Sequence, residues 1–170
     1  MIIYFVLIIA LLISLITDIL KRKILNIITL PAILFGFIYY AVFQGLEGFL
    51  FSGKGFLLGL SLLLIPYLLG GMGAGDVKLM ASVGALMGGS FVLNSFVYIA
   101  LIGGLISVIL IIKKNGFIYS VKSFYFYIIF LRGNFVSLLL SRDKSSSISF
   151  PYGVAIVFGT LCTFIWGSFI

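Results

Sequence analysis

The chain holds four acidic residues, Asp18, Glu47, Asp76 and Asp143, and no histidine. Those counts bound the chemistry on offer. Without histidine there is no Ser-His or Cys-His nucleophile and no His-ligated zinc. Cys162 stands alone in an apolar run, which excludes an intrachain disulfide and a cysteine metal site. Acid–base work therefore falls to carboxylates. Glu47 and Asp143 lie in segments read as loops, where a hydrated charge is ordinary. Asp18 lies in the last turn of one apolar run, and Asp76 opens another in Gly-Met-Gly-Ala-Gly-Asp-Val-Lys. Ionisable groups at membrane depth are rare and point to function by default. Two neighbouring carboxylates do not readily both ionise, so one keeps a proton while the other acts as base. Such a pair can activate water against a peptide carbonyl and then protonate the leaving nitrogen. It needs no metal and no cofactor.

Each acid also has a plain structural reading. Asp18 stands three and four residues before Lys21 and Arg22, the spacing of a helical ion pair. Asp76 favours a helix N-terminus electrostatically. The glycines around Asp76 add to the case. Gly73 and Gly75 precede it, where glycine permits a sharp turn or a close approach by another chain. Ala81, Gly84, Ala85 and Gly88 then form a stripe of small residues that a neighbouring helix or a substrate backbone could approach. Gly55/Gly59 and Gly84/Gly88 are small-xxx-small pairs, which ordinarily serve helix packing in lipid.

The elements that must position these residues are membrane helices. Hydrophobic residues make up 63% of the chain and charged ones only 9%, against about a quarter charged in soluble domains. Lipid is therefore the solvent for most of the chain. The net charge of +7 does not indicate nucleic acid, because the basic residues sit in short clusters between apolar runs, as in cytoplasmic loops. The pattern predicts an all-α, polytopic bundle of about six transmembrane helices, forming a single membrane-embedded domain over 1–170. The helices are expected at 2–20, 27–43, 55–69, 76–87, 91–112 and from 152 to the C-terminus. A loop over 44–53 carries Glu47, and a short turn lies at 88–90.

The basic clusters set the orientation. The first, Lys21 to Lys23, follows an apolar run, Met1 to Leu20, that carries no basic residue, which reads as an uncleaved span rather than a signal peptide. With that cluster inside, alternation places Glu47 outside, 70–78 inside, and Lys113, Lys114, Arg142 and Lys144 inside. Both termini fall outside. The stretch 117–140 is apolar but interrupted by Lys122 and Arg132, and is expected to be an interfacial or re-entrant cytoplasmic helix. Ser145 to Ser147 reads as linker.

Three segments together resemble a known family. Gly73-Ala74-Gly75-Asp76 is similar to the Gly-x-Gly-Asp signature of membrane aspartyl proteases. Extended through Val77-Lys78-Leu79-Met80-Ala81 to Gly84, it resembles the prepilin (type IV leader) peptidase version. Thr17-Asp18, the basic stretch and Ile24-Leu25-Asn26 resemble that family's second acid and Ile-Pro-Asn, with Leu25 where proline is usual. Phe150-Pro151-Tyr152-Gly153 resembles its last-helix opening. The resemblance implies Asp18 and Asp76 as the catalytic dyad, with Gly73, Gly75, Lys78, Gly84, Asn26, Pro151 and Gly153 as support. It implies an aspartic endopeptidase of the cell membrane acting on prepilin, pseudopilin or archaellin precursors and cutting a short basic leader on the cytoplasmic side. The missing paired cysteines resemble the short, peptidase-only branch. A small transporter or channel subunit using both acids as ion or proton sites is the competing reading.

Overall fold

A computed structural model describes residues 1–68, 72–115 and 152–167. The chain divides into two compact units, Met1–Gly103 with Phe150–Ile170, and Gly104–Ser149. Among the described residues there are five helices and no strand: α1 (Ile2–Lys21), α2 (Asn26–Leu68), α3 (Ala74–Met87), α4 (Gly89–Asn115) and α5 (Tyr152–Trp166). The all-α expectation holds. The expected interfacial helix over 117–140, Asp143 and Pro151 lie outside the described residues.

The count of about six separate spans is not confirmed. Three helices are long and apolar enough to cross a membrane, Ile2–Lys21, Asn26–Leu68 and, within α4, Gly89–Ser107, and Tyr152–Trp166 is a shorter apolar helix. α3 has 14 residues, about 21 Å of helix against a hydrocarbon core of about 30 Å. The expected loop over 44–53 is helical as well, and Glu47 stands exposed on that helix. Only Gly45 leaves helical geometry there, at φ 62° and ψ −139°.

That single residue reverses the chain. The Phe37 ring lies 5.2 Å from Phe49 and 5.8 Å from Phe56. In a straight helix residues 37 and 56 would stand about 28 Å apart, so the two arms of α2 fold back on one another.

Between those arms sits α3. Leu79, Met80, Val83 and Leu86 are completely buried. The arms reach α3 through its small residues. A Cβ at Gly36 would lie 2.6 Å from the Ala85 carbonyl oxygen, and one at Gly55 would collide with the Gly84 carbonyl. Gly59 meets Met80 in the same way. The stripe is therefore consumed by helix packing. Two hydrogen bonds lock the C-terminal turn of α3, where carbonyls lack helical partners. Ser52 Oγ donates to the Ala85 carbonyl at 2.8 Å, and Tyr40 OH to the Leu86 carbonyl at 3.0 Å. Large apolar side chains such as Phe5, Leu12 and Ile16 on α1 point outward and exposed, as a lipid-facing surface requires.

Gly45 and Gly104 separate conformation from space. An added Cβ at either would meet no neighbouring atom within 4 Å, but only Gly45 has positive φ. Gly45→Ala should therefore lower the melting temperature in detergent, by a strain of about 1–3 kcal/mol. Gly104→Ala, inside α4, should be neutral or stabilising by up to about 1 kcal/mol. Equal melting of the two variants would remove the backbone account of the reversal.

Candidate active site

Asp18 and Asp76, far apart in sequence, line one cleft of about 340 Å³. Two helix ends line it, and a third packs against Asp18 outside the lining. The first is the C-terminal turn of α1, which carries Asp18. Arg22 closes that turn in the left-handed region, φ 50° and ψ 38°, with its N–H donating to the Asp18 carbonyl at 2.8 Å. The short link to α2, through Lys23, Ile24 and Leu25 to Asn26, forms one wall. The second end is the first turn of α3, where Gly73, Ala74 and Gly75 form the opposite wall beside Asp76. The third is the start of α5, whose Gly153 and Val154 amides approach the Asp18 carboxylate.

Both acids are buried, Asp18 at 5% and Asp76 at 7% exposure. Their surroundings differ. Asp76 accepts a hydrogen bond from the Gly73 N–H at 3.1 Å, and its own N–H donates to the Gly73 carbonyl at 3.2 Å. The structural role expected for it, favouring a helix start, is thus realised while its side chain still borders the cleft. Burial pushes the Asp76 carboxyl up to about 6 from an ordinary 3.8. The Gly73 hydrogen bond opposes that rise and the negative charge of Asp18 adds to it. Asp18 Oδ2 is buried with no hydrogen-bond partner among the described residues.

The supporting residues sort by what they touch. Gly75 lies inside the first turn of α3 and makes no bend; it provides close approach, since a Cβ there would be 2.9 Å from Ile24 Cβ. Gly153 does the same for Asp18, whose Oδ2 would lie 2.5 Å from an added Cβ. Gly84 belongs to the packing with α2, away from the cleft lining. Lys78 Nζ donates to Asn26 Oδ1 at 2.9 Å, a pairing that nothing in the sequence indicated. Ile24 is the neighbour of Gly75 that sequence reasoning passed over. The signal for it was the glycine itself, which has to face something. Among the described residues no group of three or more His, Cys, Asp or Glu side chains could hold a metal ion.

A model of the type IV leader peptidase family matches residues 5–112, more than half of the chain, including both acids. No curated protein and no solved structure matches.

The raised Asp76 carboxyl has a consequence for stability. An unfolded aspartate titrates near 3.9. Between about pH 4 and pH 6 the folded chain holds a proton that the unfolded chain has released, so stability falls as pH rises, by up to about 1.4 kcal/mol per unit. Thermal melts in detergent across that window should show this decline in the wild type and a flatter profile in Asp76→Asn. Identical slopes would mean that Asp76 is not the buried titrating group.

Proposed function

This chain belongs to the type IV leader peptidase family, and on that premise we propose that it is a membrane-embedded aspartic endopeptidase removing the basic leader from prepilin-like precursors. The observation that carries the reading is that Asp18 and Asp76 are both buried and border the same cleft. The proposed catalytic pair works as follows. The ionised carboxylate takes a proton from water as the water oxygen attacks the scissile carbonyl carbon. The protonated partner gives its proton to the forming oxyanion. As the gem-diol collapses the C–N bond breaks, the proton gained from water passes to the leaving nitrogen, and one hydroxyl proton returns to the carboxylate that supplied it, leaving a carboxylic acid and the pair as it began. The raised Asp76 carboxyl, adjacent to a second negative charge, suits a pair that shares one proton near neutral pH.

Both walls of the cleft lie at helix ends, where α1 stops and α3 starts. With the basic Lys21–Lys23 cluster on the cytoplasmic side, the reaction takes place at the cytoplasmic membrane boundary, in a multi-pass protein of the cell membrane. Its substrates are pilin, pseudopilin or archaellin precursors that present their leader from that side.

Asp18→Asn and Asp76→Asn should each reduce conversion of a purified prepilin-type precursor by roughly 100-fold or more, with both proteins still inserting and purifying. Glu47→Gln and Asp143→Asn should cleave at the wild-type rate, and chelators should not inhibit. Full activity in either dyad variant would remove the assignment. For orientation, a cysteine at Ser146 in a Cys162→Ser background should react only with reagent on the cytoplasmic side; labelling from outside would invert the topology.

A further inference from the structure

Lys78 and Asn26 are separated by 52 residues yet share a 2.9 Å hydrogen bond. The chemistry of that bond is directional. A lysine ammonium has donors and no acceptor, so the amide of Asn26 must turn its oxygen towards Lys78. Its Nδ2 therefore faces away from Lys78, and it makes no hydrogen bond among the described residues. Asn26 also lines the cleft that holds Asp18 and Asp76. It is the first residue of α2, held against α3 through Lys78 and, two residues earlier, through the contact of Ile24 with Gly75. The other side chains lining the cleft are the two acids, the cations Arg22 and Lys23, and apolar groups. Among the described lining residues Asn26 is the one neutral amide.

We propose that Asn26 is a substrate-binding residue whose Nδ2 donates to a backbone carbonyl of the bound leader peptide, and that Lys78 is the positioning residue that holds the amide in that orientation. This rests on the peptidase reading. A peptide threaded past the dyad presents carbonyl oxygens stripped of water, and a preoriented neutral donor satisfies one without adding charge. Lys78 itself does not touch the substrate. Its ammonium fixes which end of the amide the substrate meets.

The decisive variant is Asn26→Asp. A carboxylate keeps the bond to Lys78 and strengthens it, and a negative charge is favourable at the first position of a helix. It offers the substrate no donor. Binding of a fluorescent leader peptide is measured by anisotropy in the Asp18→Asn background, and kcat/KM for the precursor in the Asp18 protein. Asn26→Asp should weaken both by roughly ten-fold with a melting temperature equal to or above wild type. Lys78→Met should weaken both less, and combining it with Asn26→Asp should add little beyond Asn26→Asp alone. Wild-type binding and turnover in Asn26→Asp would overturn the proposal, because the Lys78 bond alone would then suffice. Loss of binding in step with loss of melting temperature would also overturn it, as a purely structural contact. If Asp18→Asn still cleaves, the peptidase assignment of the dyad fails, while peptide affinity continues to report on Asn26 separately.

Discussion

The backbone contact between α2 and α3 at Gly55 and Gly84 limits where everything else can lie. Neither position tolerates a side chain, because an added Cβ on either would meet the other's carbonyl. In lipid there is no hydrophobic drive to press two helices together, so close approach and the dispersion it allows must do that work. With both arms of α2 drawn onto α3, a 14-residue helix too short to span the hydrocarbon is held as the buried centre of its unit. Its first turn, carrying Asp76, then has a fixed position relative to the start of α2. Asp18 is only a few residues upstream of that start, on the far side of a tight link.

The helix ends around the two acids differ in polarity. Asp76 lies at an N-terminal end, which favours negative charge, whereas Asp18 lies in a C-terminal turn, which does not. The N-terminal turn of α5 comes up against Asp18 from another side, close enough that position 153 has room for glycine alone. Each acid therefore faces the amides of a helix start, Asp76 that of its own helix and Asp18 that of α5, while only Asp18 also lies in a C-terminal turn.

Residue types made the site more legible than the fold. With four acids and no histidine, little else was available, and the glycines before Asp76 marked a place of close approach. What they approach was not readable, because Ile24 and Asn26 are brought to α3 by tertiary packing alone. The 44–53 segment misled for a physical reason. Its Gln, Glu and glycines have the composition of a loop, but helical hydrogen bonding resumes directly after one residue that adopts positive φ. Small-xxx-small spacing, by contrast, did identify packing surfaces, since Gly55 and Gly84 belong to separate pairs that meet one another.

Because α2 covers the small-residue stripe of α3, a substrate backbone cannot lie along it. What is left open is the cleft between the first turn of α3 and the link into α2. Its rim carries Arg22 and Lys23, and among the described lining residues the negative groups are the two buried acids. For the proposed substrate, a basic leader would gain no electrostatic attraction from that rim. Its charges would stay in water, outside the opening, and the segment that enters would be neutral. Recognition inside would then fall to shape and to hydrogen bonds with the peptide backbone. On that reading the cleft would select the point where a chain changes from charged and hydrated to apolar and membrane-bound, because only there can backbone enter while charge stays behind.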